Sequence, residues 1–465
     1  MIKNFEIGRP CAAWIKAATL QALSISSSTA AAGAGHPMES AHAPDPPRLK
    51  VLVCAYACSP ALGSEYGVGW GWVEAISKYH DLSVITAEHN RIEIEAELEH
   101  RPELNARLRF HYVPRTRFLW AEKIWPPMYL FTYTHQWQKA AHKIAKQLQL
   151  QIGFDIVHQL TYVGFRIPGL LPQLDAPFVW GPIGGLEQTT WALLPALGWR
   201  GGLYYLARNL FNDWDRRFSR APKLAFQGAE GGIIAATTGI QREIRRFYGR
   251  ESTVISEIGL PPLTRRAPLQ RRISEPLGLL WCGNFLAGKA LPFLLSALAL
   301  LPSDLSWKLT IIGAGPLSAK WKKLARANGV ADRCLWLGQV PRRAVLEQMQ
   351  QSHALAVTSV YDLTSTVVVE ALANGLPVLC PDHCGFADAI TAESGIKVPA
   401  HSRQELILGL RDAIVRIYDE SLRLRLAEGA LARSREYDWD RKARQLSDIY
   451  LAKNRNAQCR AAAAH

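Results

Sequence analysis

From Leu49 onward, short uninterrupted apolar runs alternate with helix-length amphipathic segments, and this alternation decides what the chain can fold into. Leu49–Tyr56, Leu82–Thr86, Phe110–Val113, Asp155–His158, Pro177–Trp180 and Ile233–Ala236 form one series. A second series follows: Leu279–Cys282, Leu309–Ile312, Cys334–Leu337, Ala354–Val357, Pro377–Cys380 and Gly395–Val398. Runs apolar on both faces and separated by helices predict strands of parallel sheets covered on both sides. Helices are expected notably over 291–301 and 366–373, and nearly throughout 404–453. Between the series, Pro261 to Pro276 is rich in proline and arginine and lacks periodicity, as an interdomain linker would. The expected fold class is therefore α/β, with two Rossmann-like domains. The first covers residues 49–265 and the second 276–430, with a C-terminal helix at 431–455 packing back on the first. Open parallel sheets bind ligands beyond the carboxyl ends of their strands, so the site is expected in a central cleft.

Residues 1–48 stand apart. They are rich in small residues, end in a proline cluster at 44–47, and read as a disordered or non-native extension. Lys16 interrupts the apolar core that a secretory signal would need. Across the 465 residues no run reaches roughly 18 apolar positions, so no membrane-spanning helix is expected. The formal charge of +14 favours an anionic partner: phosphates, an acidic membrane surface or nucleic acid. No nucleic-acid-binding module is recognisable, which removes the last of these. The eight cysteines form no secreted-type framework and suit a reducing cytoplasm. Neither Cys54 with Cys58 nor Cys380 with Cys384 has the two-residue spacing common in zinc sites, so no metal is expected. A mixed basic and aromatic stretch, Arg115 to Tyr133, is the candidate for contact with a membrane interface.

Several clusters can carry chemistry. After the first strand, Gly63, Ser64, Glu65 and Gly67 form a loop whose backbone N–H groups can approach an anion, aided by the next helix terminus. A second glycine cluster, Gly181 to Gly185, reads equally well as a turn. His158 is placed at the carboxyl end of its strand, where ligands bind. Asn284 and Lys289 follow the strand that opens the second domain, and a lysine at a helix start suits a diphosphate. Gly313 and Gly315 shape the turn after the next strand. The segment Asp362-Leu-Thr-Ser-Thr-Val-Val-Val-Glu370 puts one carboxylate in a loop and another in a helix, on either side of a Ser/Thr cap. The helix terminus between them can take phosphate, and each acid can accept hydrogen bonds from sugar hydroxyls.

The last segment, with Ala371 to Val378 after it, resembles the E-x7-E signature of retaining, GT-B-fold glycosyltransferases of family 4. The other clusters fall in that family's order, and the resemblance runs from about Leu49 to Trp439. It implies a GT-B fold and transfer of a sugar from a UDP- or GDP-sugar to a glycan or lipid-linked acceptor. Retention of anomeric configuration, no cofactor and no metal are also implied. Cell-surface or exopolysaccharide synthesis, at the inner face of a membrane, would be the setting. By resemblance, Glu370 would hold the nucleotide ribose, Asp362 and His158 would lie near the donor sugar, and Thr366 and Val367 would offer N–H groups to the diphosphate. Lys289 would neutralise the leaving group, while Gly63 to Gly67 would close over phosphate from the other domain. Two departures stand out: Asp362 replaces the usual glutamate, and Asn284 stands where an arginine is common. The second motivates a rival reading, a catalytically inactive nucleotide-sugar-binding protein; a nucleotide-sugar epimerase is another.

Overall fold

The computed structural model describes residues 47–114, 136–261 and 275–463. Seven strands form the first sheet: β1 (Lys50–Ala55), β2 (Asp81–Ala87), β3 (Leu108–Val113), β4 (Ile156–Thr161), β5 (Phe178–Ile183), β6 (Ile233–Ala235) and β7 (Thr253–Val254). Their order is β3-β2-β1-β4-β5-β6-β7. Six more form the second: β8 (Leu277–Cys282), β9 (Trp307–Ile312), β10 (Cys334–Gly338), β11 (Ala354–Ala356), β12 (Val378–Pro381) and β13 (Gly395–Val398). Their order is β10-β9-β8-β11-β12-β13. The pairings within both sheets are parallel. β1, β4 and β5 bury every residue except Lys50. A strand covered on both faces has no use for the polar alternation of a half-exposed one. Each sheet changes direction once, between β1 and β4 and between β8 and β11, and each change opens a crevice at the carboxyl ends.

The structure corrects three local expectations. β4 runs three residues past His158, through Gln159 to Thr161. The polar Gln159 and Thr161 make the apolar run look finished at His158, yet Gln159 donates to the Thr161 carbonyl at 2.9 Å inside the core. Secondly, the glycine-rich loop ends at Gly63, and Ser64–Ser77 is helix. Its glycines serve close packing: a Cβ at Gly69 would lie 2.0 Å from the Ala57 carbonyl oxygen. Thirdly, Gly181 belongs to β5 rather than to a turn. The Arg115–Tyr133 stretch, the Pro261–Pro276 linker apart from its ends, and the extension up to residue 46 lie outside the described residues.

The two sheets are joined by specific contacts. Asp388 accepts from the Thr238 N–H at 2.5 Å and its hydroxyl at 2.6 Å, satisfying the first turn of the helix Thr238–Tyr248 across the boundary. Glu257, just past β7, accepts from the Thr364 N–H at 2.8 Å. The last helix, Trp439–Ala463, returns to the first sheet's side of the molecule. Its Trp439 lies edge-on against Trp72, 5.3 Å between centroids, and its Ser447 meets His80 Nε2 at 2.9 Å.

Candidate active site

One cleft of roughly 480 Å³ is lined from both sides. The first domain contributes Ser64, Glu65, Val163 and Glu257; the second contributes Asn284, Lys289, Gly313, Asp362, Thr366 and Val367 among others. Each comes from a segment at the carboxyl end of a strand. Ser64 and Glu65 open the helix after β1, Asn284 follows β8, Gly313 follows β9, and the Asp362 loop follows β11. The parallel topology thus gathers residues that are up to about three hundred positions apart in the chain.

The electrostatic centre is the pair Lys289–Asp362, with Nζ and Oδ2 at 2.5 Å and both side chains partly open to the cleft. Lys289 does not begin a helix. It closes a single 3-10 turn, Ala287–Lys289, and Ala290 at φ +46° separates it from the helix Leu291–Leu298. The lysine backbone is pinned where its carbonyl accepts from Thr358 Oγ1 at 2.7 Å. Beside the pair, the helix Thr366–Ala373 points its N-terminus into the cleft. Its first-turn amides, Thr366 and Val367, have no acceptor within the helix, and Ser365 makes no side-chain cap bond to them. A cation and unpaired helix amides at one mouth form an anion site.

Backbone strain concentrates here. Three non-glycine residues among those described have positive φ: Ser64 at +57°, Ala290 at +46° and Cys384 at +52°. Ser64 lines the cleft, Ala290 follows Lys289, and the Cys384 sulfur accepts a hydrogen bond from the Asp362 backbone N–H. Such residues each cost on the order of 1–3 kcal/mol and persist where the surroundings over-determine them, often at functional sites. Gly313 allows a further close approach: at φ +132° its Cβ would lie 2.0 Å from the Gly283 carbonyl oxygen.

The opposite wall is acidic. Glu65 accepts from the Val163 N–H at 2.8 Å, and burial, opposed by that bond, pushes its carboxyl up to about 7. Glu257 is buried, one oxygen on Thr364 and the other without a hydrogen-bond partner. Burial raises the Glu257 carboxyl and lowers the Lys442 ammonium, whose Nζ donates to the Ser256 and Ile258 carbonyls on either side of that glutamate.

The structure therefore brings Ser64, Glu65, Asn284, Lys289, Gly313, Asp362, Thr366 and Val367 to one cavity. Gly63 and Gly67 flank it, as the helix cap and a first-turn residue. Glu370 sits at its edge: the carboxylate pairs with Arg342 Nε at 2.7 Å and is close enough to Cys282, a lining residue, to help burial push that thiol up to about 11. His158 is not in the cavity. It is fully buried in mid-strand, with Nδ1 on the Tyr450 hydroxyl at 2.5 Å and Nε2 on the Gly181 carbonyl at 2.7 Å. With both nitrogens engaged in the core, it packs the sheet rather than facing a ligand. Glu257 and Arg342 carried no local sequence signal; each is assembled by tertiary structure alone. No group of three His, Cys, Asp or Glu among the described residues is placed to hold a metal.

Comparison with known proteins bears on the family and the fold. Residues 270–431 match the family model described as Glycosyl transferases group 1. The D-inositol 3-phosphate glycosyltransferase of Xylanimonas cellulosilytica is 27% identical over 243 residues, 48% of this chain and 57% of its own. The putative teichuronic acid biosynthesis glycosyltransferase TuaC of Bacillus subtilis is 25% identical over 218 residues, 44% of this chain and 52% of its own. The chain thus spans little more than half the length of these relatives. Among solved structures, Anabaena HepE in complex with UDP superposes with a TM-score of 0.56 at 15% identity, covering 87% of this chain and 100% of that one. Sucrose-phosphate synthase of Thermosynechococcus elongatus gives 0.57 at 16%, covering 87% and 99%. The fold is GT-B, and the resemblance to glycosyltransferases read from the motifs holds.

Proposed function

We propose that this chain, whose residues 270–431 form a segment of the glycosyl transferases group 1 type, transfers a sugar from a nucleoside-diphosphate donor to a glycan or lipid-linked acceptor. One observation carries the reading: Lys289, Asp362 and the free amides of Thr366 and Val367 converge on one cavity between the two domains. A diphosphate seated there meets a positive point charge and two backbone donors. As the anomeric bond breaks, the charge growing on the leaving oxygen is met by groups already in place, which is where preorganised electrostatics contribute most. Asp362 holds Lys289 in position and offers its remaining lone pairs to donor-sugar hydroxyls. Glu370 lies at the nucleoside end, where a ribose diol suits a carboxylate.

The donor is a UDP- or GDP-sugar; binding of UDP by Anabaena HepE, which shares the fold, supports the former. Retention, membership of family 4 and independence of metal belong to the same reading, since Lys289 and the helix amides supply the positive charge that a divalent cation would. We place the reaction in cell-surface or exopolysaccharide synthesis, a setting supported by the similarity to TuaC, a putative teichuronic acid biosynthesis glycosyltransferase. We place the enzyme in the cytoplasm, at the inner face of a membrane. Free thiols at Cys54, Cys58, Cys380 and Cys384 support a reducing compartment, and no described helix is long and apolar enough to cross a bilayer.

The test is a screen of UDP- and GDP-sugars read as released nucleoside diphosphate, with and without EDTA and candidate acceptors. Turnover that survives EDTA and falls in both Lys289→Ala and Glu370→Ala is expected. Undiminished turnover in both variants overturns the assignment. Donor binding by calorimetry without release or transfer selects the inactive binder instead.

A further inference from the structure

The helix Gly198–Phe218, inserted between β5 and β6, shows solvent an apolar face out of keeping with the rest of the surface. Trp199 is 75% exposed, Phe211 66% and Trp214 63%, with Leu203, Leu210 and Phe218 each more than half exposed. At about 100° per residue these positions, with Tyr204 and Leu206, fill an arc of roughly 160°, along a helix about 32 Å long. The opposite arc is the packed one: Asn209, Asn212 and Arg216 are buried. A soluble helix that places its large aromatics outward has an unpartnered face, and a continuous patch of this kind marks a binding surface.

The charge around the face selects the partner. Arg200 and Arg217 lie within the apolar arc, while Arg220 and Lys223 follow it, all exposed. The helix's two acids are committed inward, Asp215 to Arg166 at 2.5 Å and Asp213 to the buried Arg216. At the helix start, a groove of roughly 610 Å³ runs between Trp199 and the helix Ser318–Ala327, rimmed by Arg200, Lys320, Lys323 and Arg403 over walls that include Leu197, Pro292 and Phe293. Apolar walls with a cationic rim fit an anionic headgroup and the start of its acyl chain. Tryptophan and tyrosine beside arginine are the residues that settle at the boundary between headgroups and acyl chains.

We propose that the helix Gly198–Phe218 lies flat on an anionic lipid surface and docks the enzyme there. The inference deepens the membrane-facing part of the function proposed above and names the surface responsible. Its consequence for the site follows from the helix's inner face. The Tyr205 hydroxyl packs directly on Gly288, next to Lys289, and Arg208 lies over the Tyr361 ring at 3.6 Å, next to Asp362. The donor loops therefore stand one helix diameter, about 10 Å, from the headgroups. That spacing suits an acceptor whose sugar projects from a lipid anchor.

The experiment is co-sedimentation of the full-length protein with phosphatidylcholine vesicles, with and without phosphatidylglycerol, across a salt series. The comparison is the triple variant L210S/F211S/W214S. Nucleotide release with a water-soluble donor and the oligomeric state by sedimentation equilibrium are measured for both proteins. Binding that needs phosphatidylglycerol, weakens with salt and drops about tenfold or more in the variant is expected. Unchanged nucleotide release by the variant shows that the site remains folded. No vesicle binding by the wild type, or equal binding by the variant, overturns the docking proposal and leaves the transferase reading standing. A wild-type dimer that the triple variant dissolves, without vesicle binding, overturns it in favour of a second copy on this face. Loss of nucleotide release in the wild type itself counts against the transferase reading and not against docking.

Discussion

Replacing Lys289 by methionine keeps most of the side-chain volume and removes one positive charge from the mouth of the helix Thr366–Ala373. A full charge about 4 Å from a diphosphate oxygen contributes on the order of 4 kcal/mol at an effective dielectric of about 20. The Lys289 side chain is 30% exposed, so water screens part of that and about 2–3 kcal/mol is the expected share. At about 1.4 kcal/mol per decade, kcat/KM should fall roughly 30- to 150-fold. Most of the loss should appear in kcat, because leaving-group charge grows toward the transition state. The assay is nucleoside diphosphate release with the donor that wild type prefers, alongside a melting curve to confirm the fold. The pairing with Asp362 makes a second comparison informative. If the lysine only positions that carboxylate, K289M/D362N should be no slower than D362N. If the lysine faces the diphosphate, adding K289M to D362N should cost about a further tenfold. A K289M enzyme within about threefold of wild type refutes the electrostatic account.

Other outcomes follow from the same contacts. Glu65 is raised to about 7 by burial, so it is neutral below that pH and charged above it. Because it lines the cavity, donor KM should rise as pH climbs through about 7, and Glu65→Gln should flatten the profile; an unchanged profile in that variant counts against its place beside the donor. Burial also holds His158 down, to about 4, so the fold keeps it neutral while the unfolded chain protonates below about 6.5. Its contribution to stability is present above about 6.5 and is lost as pH falls toward 4, a decline that thermal melts over that range should show. Tyr450→Phe strips the partner from His158 Nδ1 and should cost about 1–3 kcal/mol of stability while leaving donor KM within about twofold. Gly313→Ala combines positive φ with a Cβ driven into the Gly283 carbonyl, so a melting temperature several degrees lower is expected, along with weaker donor binding.

What the sequence disclosed and what it hid divide along a physical line. Parallel strands buried on both faces leave continuous apolar runs, so nearly every strand was visible, down to the helix Thr366–Ala373 at its observed bounds. Thr253–Val254, only two residues long, left no such run. That Asp362, Lys289 and the Thr366 amides meet in one cavity was legible because each lies in the segment that follows the carboxyl end of a strand, β8 or β11. His158 was misplaced because polar residues further along β4 are satisfied inside the core, an arrangement no local pattern reveals. Ala290 takes a left-handed conformation with no glycine to announce it, which moved Lys289 off the helix start. Glu257 and Arg342 acquire their partners across distances of 107 and 28 residues, where periodicity is silent. The outward aromatics of Gly198–Phe218 have the spacing of an ordinary core helix; only their exposure sets them apart.

The return of the last helix to the first sheet has a consequence for how the polypeptide is born. Tyr450, Ser447 and Lys442 complete contacts with His158, His80 and the Ser256 carbonyl beside Glu257, which belong to segments synthesised 292, 367 and 186 codons earlier. On a ribosome, the amino-terminal half must therefore wait with an open seam until the helix Trp439–Ala463 emerges. Termination after Pro261 but before Trp439 would leave that seam exposed, so such a product should be soft in its first half, which it nevertheless contains in full.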